Sequence, residues 1–311
     1  MSDQWQQLQA LFSQASELEG EAQSAFLAGL PQEQRAALAP LLQHDTVAGE
    51  SSLDSVAEEA MQMLAPTREH IGPYHVLEKI GAGGMGTVYL AQREEDFDQQ
   101  VAIKLVPTVF ERSELLARFR AERQILADLN HPNVARLLDG GTTEDGLPYL
   151  VMEYVPGVPI SEYCLSNKLD TAARLNLFLD VCEAVQHAHQ RLVIHRDIKP
   201  DNILVTDQGV VKLLDFGVAK LMEAGDHATR TQMHMMTSGY ASPEQILRLP
   251  LATTSDIYSL GVLLYELLAG APPYSLESAT SREIEQTVCE SAPAPPSTRR
   301  PELQGDLDHI V

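Results

Sequence analysis

The chain has 311 residues, with 44 acidic against 22 basic side chains for a formal charge of -22, and 44% of its residues are apolar. Such a charge disfavours nonspecific binding to nucleic acid or anionic lipid, while the length suffices for one large domain or two moderate ones, each with a buried core. The mean hydropathy of -0.14 reads as soluble and globular.

The opening Met1-Ser2-Asp3-Gln4-Trp5 carries no basic or apolar leader pattern, so no signal peptide is read there. Trp5, Leu8, Leu11, Phe12 and Ala15 recur at helical spacing, Phe26, Leu27 and Leu30 follow, and Leu38, Leu41 and Leu42 form a further stripe. A last stripe runs through Leu53, Val56, Ala57, Ala60 and Leu64. Residues 1–64 are therefore expected to be a small helical extension, too short for a trusted core of its own and open to a regulatory, dimerising or docking role. Ala65-Pro66-Thr67 and Gly72-Pro73 predict a linker over 65–73.

Strands are predicted at Tyr74 to Ile80, Thr87 to Ala91, Val101 to Val106 and Tyr149 to Met152, with a helix from Glu111 to Leu129. After Gly157 the pattern turns helical. Leu175, Phe178, Leu179, Cys182 and Val185 form one stripe, and Ile257 to Leu268 is apolar nearly all round, which predicts burial. The run Ile257 to Ala271 is interrupted by Glu266 and is too short to span a bilayer. Ser291 to Pro301 is proline-rich and reads as loop. Cys164, Cys182 and Cys289 lack metal-like or redox-like spacing, so reduced thiols in a cytoplasmic protein are expected.

Gly81-Ala82-Gly83-Gly84-Met85-Gly86 lies between two strand-like segments. Alone it fits a dinucleotide-binding turn or a flexible hairpin equally well. The strand-like sequence after Gly86 disfavours the dinucleotide fold, and glycines let a backbone approach phosphate oxygens closely. Lys104, inside an apolar strand, needs an anion, and Glu122 occupies an apolar-face position of the predicted helix. An unpaired carboxylate there would be costly, so a Lys104–Glu122 ion pair is expected.

His195-Arg196-Asp197-Ile198-Lys199-Pro200-Asp201-Asn202 brings a base, a cation and a ligating amide into one loop, and the hairpin Ile203 to Leu214 leads to Asp215-Phe216-Gly217. Accepting a hydroxyl proton and holding magnesium against a nucleotide triphosphate need that combination. The order and spacing resemble the catalytic and magnesium loops of protein kinases, and residues 74–311 resemble the bacterial eukaryotic-like serine/threonine kinases over nearly their whole length.

The resemblance implies an α+β, two-lobed fold, with a small sheet lobe over 74–155 and a larger helical lobe over 156–311. It implies ATP with Mg2+ (Mn2+ as a second candidate), protein serine and threonine acceptors, and self-association as a route to trans-autophosphorylation. It implies Asp197 as the group that accepts the hydroxyl proton, Lys199 as the cation beside the transferring phosphoryl, and Asn202 and Asp215 as metal ligands. Ile80, Gly81, Gly83, Gly86 and Lys104 would cover the phosphates, and Val88, Ala102 and Leu204 would sandwich the purine. Met152 would close the back of that pocket, with Glu153 and Val155 as its hinge. His195 would pack beside Phe216 and Leu126, above Asp256. Asp215 to Glu244 resembles an activation segment, with Thr229 and Thr231 as phosphorylation sites, Arg196 as their partner and Thr237 in the docking floor.

Three departures stand out. Met236 replaces a common glycine before Thr237, Ser238-Gly239 loosens the same loop, and the chain stops at Val311 before the arginine that would pair with Glu244. That ending reads as a C-terminally truncated kinase domain. The competing functions are a pseudokinase or ATP-sensing scaffold, inactive through the truncation, and a small-molecule phosphotransferase. Lys104, Glu122, Asp197, Asn202 and Asp215 disfavour the first, and Lys199 with Ser242-Pro243-Glu244 disfavours the second.

Overall fold

Short runs rich in β-branched and aromatic residues, joined by glycine turns, pair here into an antiparallel sheet. The computed structural model describes Phe26 and residues 68–83, 86–93, 99–106, 129–216, 239–276 and 279–310. Its first six strands are β1 (His70–Ile71), β2 (Tyr74–Gly83), β3 (Gly86–Arg93), β4 (Gln99–Leu105), β5 (Leu137–Thr142) and β6 (Pro148–Glu153). They lie side by side in the order β1-β2-β3-β4-β6-β5. β4 is flanked on both sides, and Val101 to Leu105 are buried without interruption, Lys104 included. Ile71, Tyr74, Tyr89, Ile103, Tyr149 and Val151 form the core of this lobe.

The sheet begins inside the stretch expected to be linker. Ile71 is 1% exposed, β1 pairs with β2 through His70↔His75 and Ile71↔Tyr74, and so apolar burial draws these residues into the lobe. Gly72 sits at φ +57, where a Cβ would come within 2.2 Å of the Tyr149 hydroxyl, so glycine is required there. One residue pair further out, the Arg68 guanidinium grips the Asp145 carboxylate at 2.6 and 3.0 Å. That hydrogen bond, helped by Thr143, holds the Asp145 carboxyl well below the usual carboxylate range. β5 was not expected either, because Asp139-Gly140-Gly141 reads as a turn; pairing along β6 overrides the local preference.

The second lobe holds α1 (Ile160–Ser166), α2 (Thr171–His189), α3 (Pro243–Ile246), α4 (Thr253–Ala269), α5 (Ser281–Glu290) and α6 (Asp306–Ile310). A three-stranded sheet of β7 (Gly157–Pro159), β8 (Ile203–Thr206) and β9 (Val211–Leu213) lies at its edge. Asp170 starts α2 by accepting the Ala173 N–H at 2.8 Å, and Gly270 ends α4 at φ +80. Val181 and Val185 of α2 pack with Leu260, Leu263 and Leu267 of α4. Arg174 and Arg300 donate to the last carbonyls of α4, those of Leu267 (2.6 Å) and Leu268 (3.0 Å).

The two-lobed architecture is the expected one, with corrections of detail. Leu179 is 57% exposed and Ile257 60% exposed, so neither belongs to the buried faces assigned to them. The proline-rich stretch contains 3-10 turns at Pro296–Thr298 and Pro301–Leu303. The helices expected over 1–64 and 111–129 lie outside the described residues, apart from helical Phe26 and from Leu129, which is not helical. No helix among the described residues is long and apolar enough to cross a membrane.

Candidate active site

The loop before β8 is built around one carboxylate. Asp256, in the first turn of α4 and 1% exposed, accepts the backbone N–H of His195 through Oδ2 and that of Arg196 through Oδ1, each at 2.8 Å. His189 Nε2 lies 2.7 Å from the same Oδ2. Burial alone would raise the Asp256 carboxyl, but the His189 contact and these two amides outweigh it and hold the group below its ordinary value. Arg196 stands at φ +70, a left-handed position that a side-chain-bearing residue adopts at a cost of about 1–3 kcal/mol. Its carbonyl accepts from Gln245 Nε2 at 2.7 Å, so both ends of the strained residue are clamped.

His195 is fully buried, and its ring fixes its own tautomer. Nδ1 lies 3.3 Å from the Asp197 N–H, which can only donate, and Nε2 lies 2.7 Å from the Leu214 carbonyl, which can only accept. The imidazole is therefore neutral with its proton on Nε2. Burial pushes its pKa down, in the same direction. With the Phe216 ring tilted against it, centroids 4.7 Å apart, His195 braces the loop against Leu214, the residue after β9. Its Nδ1 lone pair is already engaged, which removes it as a general base.

Asp197, 5% exposed, is oriented by its neighbours. Asn202, in the 3-10 turn Pro200–Asn202, donates Nδ2 to the Asp197 carbonyl at 2.8 Å and to its Oδ2 at 2.7 Å. Lys199 Nζ lies 3.6 Å from the same Oδ2. The Asn202 carbonyl accepts from Leu214 N at 2.8 Å, which ties this turn to the chain entering Asp215. Asp215, at φ +50, points Oδ2 to Lys104 Nζ at 2.7 Å. Lys104 reaches it from β4, buried to 8% exposure, so a cation of the first lobe meets a carboxylate of the second. Glu122, expected as the partner of Lys104, lies outside the described residues; the anion that the buried ammonium meets here is Asp215.

Above this pair, Gly86 opens β3 at φ +121 opposite Gly83, and Gly81 faces Val88 across the hairpin. Ile80 on β2 is 42% exposed. Val88 stands opposite Lys104, and Ala102 opposite Met152, across neighbouring strands. Met152 lines a cavity with Leu129, Val134, Leu137, Asp215 and Phe216. Glu153 ends β6 and Val155, buried, follows it. Leu204 lies on β8 opposite Lys212. The structure thus brings Lys104 to Asp215, and Lys199 and Asn202 to Asp197, with Asn202 O tied to the residue before Asp215.

Thr229, Thr231 and Thr237 lie outside the described residues. Downstream, Tyr240 donates its hydroxyl to Glu266 and its carbonyl accepts from Ser259 Oγ at 2.8 Å. Ser242 and Gln245 form a reciprocal cap on α3. Glu244 Oε2 is buried with no hydrogen-bond partner among the described residues. Sequence reasoning missed His189, Gln245 and Lys212, each of which acts through a contact distant in the chain and follows no spacing rule.

Lys104 of the first lobe thus meets Asp215 of the second beside the Asp197, Lys199 and Asn202 cluster. The model of the protein kinase domain matches residues 74–304, and the chain belongs to that family. It is 40% identical over 245 residues to the serine/threonine-protein kinase PrkC of Bacillus subtilis, an alignment covering 77% of this chain and 37% of PrkC. It is 38% identical over 244 residues to the serine/threonine-protein kinase PknB of Mycobacterium tuberculosis, covering 76% and 38%. The crystal structure of the M. tuberculosis PknI kinase domain superposes with a TM-score of 0.57 at 27% identity, covering 78% of this chain and 87% of that one. The chain spans well under half the length of the curated relatives it matches.

Proposed function

We propose that this chain transfers the γ-phosphoryl group of ATP to serine or threonine hydroxyls of proteins, its own activation segment among them. The observation that carries the reading is the convergence of Lys104 on Asp215 with Asn202 and Lys199 on Asp197, contributed by both lobes. The residues fit a magnesium-bound nucleotide. Asp215 supplies carboxylate oxygens, and Asn202, whose amide N–H groups are turned to Asp197, has its carbonyl oxygen left as its ligating atom. Few protein ligands plus phosphate oxygens is the usual way magnesium is held, and Mn2+ fits the same oxygen donors. When bound, the metal–nucleotide supplies the activated phosphoryl group and neutralises its developing charge.

The chain's own residues do the rest. Lys104 presents an ammonium to the phosphates, with the glycine hairpin over them. Val88, Ala102 and Leu204 enclose the purine, Met152 bounds its back, and the backbone of Glu153 and Val155 meets its edge. Asp197 orients the acceptor hydroxyl and takes its proton. Lys199, beside the same carboxylate, screens the phosphoryl oxygens as the hydroxyl approaches. Arg196 and the threonines Thr229 and Thr231 form the regulatory pair, and Thr237 contributes to the acceptor floor. Glu122 completes the set as a second carboxylate for Lys104. The domain reading keeps 1–64 as the helical extension and the kinase domain from 74, with the small lobe's sheet starting at β1.

Asp197→Asn tests the assignment. Turnover should fall between about a hundredfold and ten-thousandfold, the usual worth of a positioned base, while magnesium–nucleotide affinity stays within a factor of about two or three of wild type. Unchanged turnover would rule Asp197 out. The scaffold reading is favoured instead if the wild-type chain binds nucleotide and transfers nothing.

A further inference from the structure

The end of β6 is tied to the second lobe by a side chain to which the proposed chemistry gives no role. Lys212 Nζ meets Glu153 Oε1 at 2.7 Å, with the lysine side chain 16% exposed and the glutamate 31%. The other carboxylate oxygen, Oε2, accepts the Arg136 N–H at 3.2 Å, and Glu153 N donates back to the Arg136 carbonyl at 2.9 Å. Both oxygens of Glu153 are therefore engaged, and its side chain is held in one direction.

Lys212 lies on β9, directly opposite Leu204 of β8, so the two side chains share a face of that sheet. The same strand is bound to the segment just before β5: Asn133 Nδ2 donates to Val211 O at 2.9 Å, Leu213 N to Asn133 O at 2.8 Å, and Ala135 N to Leu213 O at 2.9 Å. β9 then runs through Leu214 into Asp215. Glu153, the segment 133–136 and the strand leading to Asp215 thus form one connected body, and the Lys212–Glu153 pair is its charged link to β6.

We propose that Lys212 is a positioning residue for nucleotide binding: its ion pair with Glu153 sets the distance between the purine-binding edge at Glu153 to Val155 and the floor at Leu204, and so aligns that edge with Asp215. The inference rests on the nucleotide-site reading above. An ordinary partly exposed ion pair contributes little to stability. The geometry here differs in joining two lobes across the place where the purine would lie, so its effect falls on affinity.

The experiment measures Mg-ADP affinity, the unfolding midpoint without nucleotide, and turnover at saturating ATP, for the full chain and for Lys212→Met, Glu153→Gln, the two combined, and Lys212→Arg. Lys212→Met and Glu153→Gln are each expected to weaken Mg-ADP by about tenfold, the scale of coupling between residues in contact. The pair of them together should be no worse than either alone, and Lys212→Arg should keep most of the affinity. In Lys212→Met and Lys212→Arg, turnover at saturation should hold within about twofold and the unfolding midpoint should barely move. A shifted midpoint with unchanged affinity would overturn the inference, as would faster turnover at unchanged affinity or a loss in Lys212→Arg as large as in Lys212→Met. Absence of Mg-ADP binding to the unaltered chain would overturn the nucleotide-site reading itself, and this inference with it.

Discussion

His195 combines two facts that give it a measurable pH signature. Its two ring nitrogens are committed to Asp197 N and Leu214 O, and burial lowers its pKa, so the folded protein keeps it neutral. Above about pH 6.5 the histidine is neutral in the folded and unfolded chains alike and adds no pH dependence. Below that value the unfolded chain takes up a proton that the native chain refuses, so stability falls as pH falls, by at most about 1.4 kcal/mol per pH unit for one proton. His187 shifts the same way, pushed down by burial and by Arg191 and His131, so the comparison must isolate one ring. Urea unfolding at pH 7.5 and 5.5 should show a steeper acid loss for wild type than for His195→Asn, which carries no titrating ring. Equal slopes would mean that His195 titrates freely. The clustering of Lys199 and Asn202 on Asp197, next to Asp215, was legible in the sequence because one loop and hairpin carry them at close spacing. The neutral tautomer of His195 was not, since beside the Asp197 N–H it is set by the Leu214 carbonyl, which no local rule connects to it.

Among the elements, β1 carries the clearest consequence. Ile71 is buried in the core of the first lobe, whereas the Arg68–Asp145 pair outside it is partly solvated, with side chains 21% and 53% exposed. Ile71→Ala should therefore cost about 2–5 kcal/mol, the range for truncating a buried aliphatic side chain. Arg68→Ala should cost no more than about 1 kcal/mol, because exposed pairs are weak. Chemical denaturation of the full chain compares them, and equal costs would show that the ion pair, not the burial, holds β1 in place. The element errors have a common origin. Asp139-Gly140-Gly141 and Gly157-Val158-Pro159 carry turn residues, yet they form β5 and β7 because a neighbouring strand offers unpaired backbone. Leu179 and Ile257 fit apolar periodicities but face outward. A periodic stripe locates a helix without saying how wide its buried face is.

At the scale of the whole molecule, buried charged groups gather where the two lobes meet. The cation of Lys104 comes down from β4, the carboxylates of Asp197 and Asp215 rise from the helical lobe, and Lys212 with Glu153 braces the far side. The two-lobed plan was readable because a strand-rich stretch gives way to a helix-rich one near Gly157. The contacts between the lobes were not readable, because each joins residues far apart in the chain. The most direct test of the central claim is phosphoamino-acid analysis of this chain after incubation with magnesium and γ-labelled ATP, beside Asp197→Asn. The account predicts label on threonine or serine, with Thr229 or Thr231 among the mapped sites, and none in the variant. Nucleotide binding without any transfer, or equal labelling of Asp197→Asn, would contradict it.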